Sequence, residues 1–396
     1  MRWVVNRARV DGERLMNASR RWMRFSSLLM VTLLASCSMF SSKKPRVEPA
    51  ELVNFKPSLT VRALWRADLG RAGTPFLAPV FADGKVFAAG ADGKVVAFDA
   101  ASGRQVWSVT VDADIAAGVG ADAATVAVAS ARGTVFAFDA ATGKQRWKVK
   151  ASTEVLSAPA VGSGVVVVRS MDNKIVAYDV ESGERRWVIQ RTAPALVLRA
   201  APGIVIADGT AFVALPAGRM LAINTATGVA RWDAPIAEPR GATELERVAD
   251  VSGVPALLGR EICATSYQGR IACVDAGNGS LRWAREFSAD VGPAIDQRYV
   301  FAADEVGSLA GFSRDTGGSL WRSTTLRGRS LSAPVSFGRA VVVGDKEGYL
   351  HFLSREEGAM LARLSVGGQV LAAPIVTGAN LVVQTIDGKL IAITTE

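Results

Sequence analysis

The sequence predicts an all-β protein: an eight-bladed β-propeller made of four-stranded antiparallel blades. Three observations support this fold. A motif ending in Gly-x-x-x-Trp recurs about every forty residues; each copy follows short Val-, Ala-, Ile- and Phe-rich runs separated by turn residues; and the two chain ends supply complementary parts of one blade. Four short strands in a repeat of about forty residues are typical of a propeller blade.

The repeat is clearest in FDAASGRQVW (98–107), FDAATGKQRW (138–147) and YDVESGERRW (178–187). Asp-x-x-Thr-Gly is a turn signal, because Asp can accept hydrogen bonds from nearby amides and Gly tolerates positive φ. The copies are separated by 40, 40, 45, 51, 38 and 41 residues. Their glycines are Gly103, Gly143, Gly183, Gly228, Gly279, Gly317 and Gly358.

The tryptophans mark the outer, fourth strand of each blade. A large ring at the same place in every blade can fill the wedge between neighbouring sheets, so we expect a structural role rather than a set of ligand-stacking platforms. Ala362 takes the eighth position. The predicted blade tryptophans are Trp65, Trp107, Trp147, Trp187, Trp232, Trp283 and Trp321.

The chain ends predict how the ring closes. The body begins with a lone outer strand, ALWRADLG (63–70), and ends with three strands near 370–394 that lack a fourth. The N-terminal strand should complete the last blade, which removes a free sheet edge. We therefore predict one propeller domain over residues 61–396.

The N-terminus predicts a signal peptide over residues 1–36 and a flexible tether over residues 37–60. Basic residues precede a short apolar run, Phe25 to Leu34, and a polar, Pro-containing stretch follows. Residues before Met16 or Met23 fit no part of a signal peptide, so we expect the true translation start at one of these methionines. Leu34-Ala35-Ser36-Cys37 resembles the bacterial lipobox. That resemblance implies a lipidated (palmitate-bearing) Cys37, and the Ser after it implies the outer membrane.

Composition excludes several kinds of function. Residues 1–36 carry seven Arg against two acidic residues, so five of the nine net positive charges lie there, and nucleic acid is not an expected partner. Three cysteines and one histidine provide no zinc site or other metal centre, and we assign His351 to packing. Cys263 and Cys273 flank a predicted turn at 267–270. We expect packed free thiols there, with a disulfide as the alternative in an oxidising compartment.

Two intervals longer than the others predict a docking surface. Extra residues fall at about 191–199 and 234–249, each between an outer strand and the inner strand of the next blade. Such connections emerge on one face of a propeller, and these two are consecutive, so we expect one contiguous patch. Apolar Leu196 and Leu198 beside Arg199 suit an interface anchor. The alternative is that both leucines begin an inner strand and face the core.

The repeat resembles that of pyrroloquinoline quinone (PQQ) dehydrogenases. Many of these enzymes stack the quinone on adjacent cysteines, and this sequence has no Cys-Cys pair. A lipobox, a tether and eight such blades together resemble the BamB family, the lipoprotein subunits of the outer-membrane β-barrel assembly machinery. Two fragments, Gly344–His351 and Gly241–Arg247, also match that family.

The BamB resemblance implies a non-enzymatic, cofactor-free scaffold on the periplasmic face of the outer membrane. It implies contact with a POTRA domain of BamA through Leu196, Leu198 and Arg199, and through Arg247 and Asp250, with unfolded outer-membrane proteins as further partners. Ser252 departs from the family pattern, which has an acidic residue there. The alternatives are a PQQ- and calcium-dependent quinoprotein dehydrogenase, or an outer-membrane lipoprotein that binds another envelope component.

Overall fold

The structure is a computed structural model that describes residues 48–73, 77–192, 194, 196–198 and 202–396. These residues form strands and connecting turns, and the described part of the chain contains no helix. Consequently no helix among the described residues has the length and apolar character required to cross a bilayer. The predicted signal peptide lies outside the described residues.

The strands are numbered in chain order. Strand β1 spans Val61–Asp68. Blades 1 and 2 contain β2 (Val80–Ala82), β3 (Lys85–Ala89), β4 (Lys94–Asp99), β5 (Gln105–Thr110), β6 (Ile115–Ala121), β7 (Thr125–Ser130), β8 (Thr134–Asp139) and β9 (Gln145–Lys150). Blades 3 and 4 contain β10 (Ala160–Gly162), β11 (Val165–Arg169), β12 (Lys174–Asp179), β13 (Arg185–Gln190), β14 (Ile204–Ala207), β15 (Thr210–Leu215), β16 (Arg219–Asn224) and β17 (Ala230–Pro235).

The second half of the ring continues the same order. Blades 5 and 6 contain β18 (Val251–Leu258), β19 (Glu261–Ser266), β20 (Arg270–Asp275), β21 (Leu281–Glu286), β22 (Ala294–Ile295), β23 (Tyr299–Ala303), β24 (Leu309–Ser313) and β25 (Ser319–Ser323). Blades 7 and 8 contain β26 (Val335–Phe337), β27 (Ala340–Gly344), β28 (Tyr349–Ser354), β29 (Met360–Ser365), β30 (Ile375–Thr377), β31 (Asn380–Gln384) and β32 (Lys389–Thr395).

Each blade is a four-stranded antiparallel sheet, and the strands of blades 1 to 7 follow one another in sequence order. Blade 8 has the order β1-β32-β31-β30, with β1 paired antiparallel to β32 from Val61↔Thr395 to Asp68↔Lys389. The predicted eight-bladed propeller and its closure by the N-terminal strand are confirmed. The closing strand begins two residues earlier than the sequence predicted.

The middle strands of each blade carry the core. In β3 and β4 nearly every residue is buried, whereas the outer strand β5 is exposed except at Trp107 and Val109. This pattern arises because a middle strand is covered on both faces by neighbouring blades. Tight turns join the strands: Asp83 and Gly84 both have positive φ, as a two-residue type I′ hairpin requires.

Each blade tryptophan lies between two blades. Its ring contacts the motif glycine of the next blade, where a Cβ on Gly143 would lie 2.7 Å from the Trp107 ring. Each indole Nε1–H also donates a hydrogen bond across the interface, so the ring is packed and its polar N–H has an acceptor. The bonds are Trp65–Ala100 O (3.0 Å), Trp107–Ala140 O (3.0 Å), Trp147–Val180 O (3.0 Å), Trp187–Thr225 O (2.7 Å), Trp232–Ala276 O (2.9 Å), Trp283–Arg314 O (2.7 Å) and Trp321–Arg355 O (2.9 Å).

The topology explains why Ala362 replaces the eighth tryptophan. An indole at this position would dock on the third turn of blade 8, but in that blade the chain termini replace the turn. Leu59 is buried in the same apolar cluster as Ala362, and its N–H donates to the Leu361 carbonyl at 3.3 Å. The segment before β1 thus fills the space that a tryptophan fills elsewhere.

The disc has two distinguishable faces. We call one of them the insertion face. There the end of each outer strand forms a hydrogen bond with the hairpin between the second and third strands of the same blade. In blade 4, for example, the Ile236 N–H donates to the Gly218 carbonyl at 2.7 Å. We call the opposite face the motif face. There the turn that carries the motif glycine forms a hydrogen bond with the hairpin between the first two strands of the blade. In blade 4, the Thr225 N–H donates to the Gly209 carbonyl at 3.1 Å. Every connection between consecutive blades therefore lies on the insertion face.

The cysteine expectation is wrong. Cys263 and Cys273 form a disulfide instead of packed free thiols. The two residues are directly paired in the register of β19 and β20, with Cα atoms 4.0 Å apart, so the hairpin itself brings the sulfurs together. Both are fully buried.

Part of the predicted tether also differs from the sequence expectation. Residues 50–59 lie against blade 7: Ser58 N–H donates to Leu361 O at 2.9 Å, and Ala50 N–H donates to Arg327 O at 2.8 Å. Three arginines donate to carbonyls of this segment. Residues 50–59 therefore belong to the folded body and not to a flexible tether.

Candidate partner-docking site

Two long connections on the insertion face form the candidate site. Loop A comprises residues 191–203, between β13 and β14, and loop B comprises residues 236–250, between β17 and β18. The inner strand of blade 4 starts at Ile204, so Leu196 and Leu198 precede it and do not form part of it. Leu196 is 48% exposed, and Leu198 is half-buried. The alternative that both leucines begin an inner strand does not match this geometry.

Asp250 joins the two loops. Its carboxylate accepts hydrogen bonds from the Leu198 N–H at 2.7 Å and from the Ala217 N–H at 2.9 Å. The side chain is buried, and Val251, which follows it, starts the inner strand β18 and is fully buried. Asp250 therefore holds loop A in place instead of offering a free carboxylate at the surface.

A buried arginine accompanies this carboxylate. Arg169 is almost fully buried; its Nη1 donates to Asn173 Oδ1 at 2.9 Å, while its Nε has no hydrogen-bond partner among the described residues. Burial lowers the pKa of Arg169 to about 10, and the negative charge of Asp250 opposes that shift. Arg169 stays protonated at neutral pH and supplies positive charge beneath the junction of the two loops.

Loop B contains one capped helical turn. Thr243 Oγ1 accepts the Glu246 N–H at 3.3 Å, and Glu246 Oε2 accepts the Thr243 N–H at 3.1 Å, the reciprocal pattern of a capping box. Hydrogen bonds from the N–H groups of Thr243 and Ala242 lower the pKa of the Glu246 carboxyl. The turn is thus held by its own side chains, and Leu245 projects from it with 69% exposure.

Arg247 lies at the end of this turn and is exposed. Its Nε donates to Gly241 O at 3.0 Å, and its Nη1 lies 3.5 Å from Glu244 Oε1. The guanidinium is therefore positioned at the surface, with donors left for a partner. Arg199 lies outside the described residues, as does Cys37.

The structure brings Leu198 and Asp250 into direct contact and places Leu196 and Arg247 at the surface of the two loops. Sequence reasoning missed three contributors: exposed Leu245, exposed Val197 and buried Arg169. The Thr-x-x-Glu pattern at 243–246 is a signal that could have identified the turn presenting Leu245. Arg169 lies in an ordinary strand pattern, which gives no such signal. Ser252 is buried beside Asp250, with its Oγ 3.4 Å from the Asp250 carbonyl.

A quinone and calcium centre does not fit the described residues. Their single group of three or more His, Cys, Asp or Glu side chains close enough to share a metal ion consists of Glu261, Cys263 and Cys273. The two sulfurs are bonded to each other, and Glu261 forms an ion pair with Arg314 at 2.7 Å. The cluster is buried in the body of blade 5, so it offers neither a free oxygen cage for calcium nor a surface on which a ring could stack.

The chain is similar to known proteins over nearly its whole length. The family model described as outer membrane protein assembly factor BamB matches residues 58–117, 91–317 and 305–396. BamB of Bordetella pertussis is 45% identical, covering 94% of this chain and 97% of that protein. BamB of Pseudomonas aeruginosa is 43% identical, covering 94% and 99%.

Solved structures show the same fold. BamB from Moraxella catarrhalis superposes with a TM-score of 0.77 at 24% identity, covering 85% of this chain and 100% of that chain. A quinohemoprotein alcohol dehydrogenase from Comamonas testosteroni superposes with a TM-score of 0.65 at 16% identity, covering 84% and 76%. Together, the family model and the curated relatives show that this chain belongs to the BamB family of outer membrane protein assembly factors.

Proposed function

We propose that the protein is a non-enzymatic scaffold of the outer-membrane β-barrel assembly complex, anchored through lipidated Cys37 and exposed to the periplasm. Its relatives carry the name of an assembly factor, and loops A and B provide the surface for this role. The proposed partner is a POTRA domain of BamA. The observation that carries the proposal is the hydrogen bond from the Leu198 N–H to Asp250, which joins the two loops beside exposed apolar side chains framed by charge.

The proposed contact follows the anatomy of a protein interface. Leu196 and Leu245 are exposed apolar side chains on loops held by hydrogen bonds, so little conformational entropy is lost when they are buried by a partner. Arg247 and Arg199 would supply the polar rim and pair with acidic groups of the POTRA domain.

Charge and shape changes on the two loops test the proposal. Arg199→Glu, Leu196→Asp and Leu245→Asp should each reduce co-purification of BamA from solubilised membranes, without lowering the melting temperature. Val229→Asp is the matched control, since Val229 is 65% exposed but lies on the motif face. Undiminished BamA recovery with all three loop variants would contradict the proposed site.

The anchor has a separate test. Mass spectrometry of the mature N-terminus should show a chain that begins at Cys37 and carries acyl chains. Cys37→Ser should leave the propeller folded but release it from the outer membrane fraction. A mature chain that begins elsewhere and lacks lipid would refute the anchor and leave the docking site untouched.

A further inference from the structure

The segment from Ala50 to Leu59, which we call the strap, crosses the thickness of the disc along blade 7. At its C-terminal end Arg339, in the first hairpin of blade 7, donates to the Ser58 carbonyl. That hairpin belongs to the motif face, because its Arg339 carbonyl accepts the Arg355 N–H at 3.3 Å. The strap therefore starts from β1 at the motif face.

The other end of the strap is at the insertion face. Ala50 N–H donates to the carbonyl of Arg327, and Arg329 Nη1 donates to the Ala50 carbonyl at 3.0 Å. Both arginines lie in the connection between β25 and β26, which is a blade-to-blade connection like loops A and B. The chain therefore leaves the propeller on the face that carries the candidate docking site.

The strap is held along its length. Arg363 donates from Nη2 to the Val53 carbonyl at 3.1 Å, and its guanidinium lies 5.2 Å from the centre of the Phe55 ring. Arg329 is itself fixed by a 2.6 Å ion pair with buried Asp345. Leu59 is buried in the core cluster at Ala362. Backbone hydrogen bonds, contacts from three arginines and a buried side chain together make the strap part of the folded body.

We propose that the strap directs the membrane anchor to the insertion face, so that loops A and B are turned toward the lipid surface. The inference rests on the proposed anchor at Cys37. With the strap docked, the twelve residues from 37 to 48 limit the reach from the lipid to about 40 Å at full extension. With the strap released, the chain would leave from the motif face and reach about 80 Å.

Energy transfer to vesicles tests this orientation. The lipidated full-length protein is reconstituted into phosphatidylethanolamine–phosphatidylglycerol vesicles containing a trace of acceptor-labelled lipid. A donor dye is attached at Leu245→Cys on the insertion face or at Val229→Cys on the motif face, while the Cys263–Cys273 disulfide is kept oxidised. We expect higher transfer from position 245 than from position 229.

A strap-release variant makes the test specific. Phe55→Ala, Arg339→Ala and Arg363→Ala together remove three strap contacts. Arg260→Ala with Arg186→Ala is the control, because these exposed arginines pair with carboxylates of blades 5 and 3. Amide hydrogen exchange at Ser58 and Leu59 reports release. We expect the difference between positions 245 and 229 to be lost only in the release variant.

Two results would overturn the proposal: equal transfer from both positions while the Ser58 and Leu59 amides are protected, or an unchanged difference after those amides exchange freely. Failure of the protein to float with the vesicles would remove the anchor on which the proposal rests. No BamA is present in these vesicles, so these outcomes are independent of the co-purification test of docking.

Discussion

At the scale of single residues, Asp250 makes contacts within the protein that sequence reasoning did not foresee, and its partner contact stays a prediction. The family resemblance implied a direct partner contact, but both carboxylate oxygens accept backbone N–H groups within the protein. Its effect on a partner would be exerted through the position of loop A. The chemistry of an Asp side chain allows either role, and only its burial distinguishes them.

Replacing Asp250 should therefore affect both stability and docking. Asp250→Ala leaves two amides without their acceptor and Arg169 without its nearby negative charge, so we expect a loss of about 1–3 kcal/mol in the free energy of unfolding. Hydrogen exchange at the Leu198 and Ala217 amides should accelerate. Glu244→Ala, at an exposed carboxylate of loop B, is the control. It should change neither the free energy of unfolding nor the exchange rates of these two amides. Unaltered exchange at Leu198 would contradict the assignment.

His351 predicts a pH dependence of stability. The ring is fully buried; Nε2 lies 2.8 Å from Asp345 Oδ2, and Nδ1 has no hydrogen-bond partner among the described residues. Burial lowers the pKa of His351 below its ordinary value of 6.5, although Asp345 opposes the shift. The neutral form fits this site, because a proton on Nδ1 would be a buried donor without an acceptor.

The lowered pKa determines the direction in which stability changes with pH. Below pH 6.5 the unfolded chain binds a proton that the folded chain does not, so the stabilisation present above that pH is lost as the pH falls. Denaturant unfolding from pH 7.5 to 5.5 should show this decline, at no more than about 1.4 kcal/mol per pH unit. His351→Gln should flatten it in this range, since His351 is the only histidine in the chain. An unchanged slope in the variant would refute the assignment.

At the scale of elements, the recurring unit is a tryptophan of one blade docked on the glycine turn of the next. Gly183 has φ of +73°, and a Cβ there would lie 2.8 Å from the Trp147 ring. Gly164 has φ of +76°, and a Cβ there would have nothing within 4 Å. Comparing alanine substitutions at the two positions therefore separates the cost of backbone strain from the cost of displacing the ring.

Alanine at these positions should give different costs. Gly164→Ala should lower the free energy of unfolding by about 1–2 kcal/mol, the cost of a left-handed alanine. Gly183→Ala should cost about 1–3 kcal/mol more, because the methyl group also displaces the Trp147 ring. Chemical denaturation followed by tryptophan fluorescence measures both variants. Equal losses would show that the glycine is needed only for its backbone conformation.

The sequence predicted the blades well because each blade is a local pattern. Strands such as β3 and β4 alternate with turn residues, and the motif repeats the same turn in seven places. Features that depend on contacts between distant residues were not predictable in this way. The burial of Asp250 and the docking of Leu59 each depend on which strand or blade lies opposite.

At the scale of the whole molecule, the seam between blades 7 and 8 differs from the other seven. Seven interfaces contain a tryptophan on a glycine turn, whereas this one contains Ala362 and Leu59. Ring closure brings together the β1–β32 pairing, the Leu59 packing and an ion pair between Arg62 and the C-terminal residue Glu396 at 2.9 Å. The exposed ion pair contributes little, so strand pairing closes blade 8 and the packing of Leu59 holds its seam with blade 7.

The seam predicts a non-additive mutant cycle. Leu59→Ala should lower the free energy of unfolding by about 2–5 kcal/mol, because it leaves a cavity beside Ala362. Ala362→Trp should cost about 1–3 kcal/mol, because Leu59 already fills the space and blade 8 offers no glycine turn. The double variant should be more stable than the sum of the two losses implies, since the indole can occupy the space that Leu59 vacates. Leu64→Ala, at a partly exposed position of β1, is the control for general weakening of the closing strand. Strict additivity in denaturant unfolding would show that Leu59 and Ala362 do not share one site.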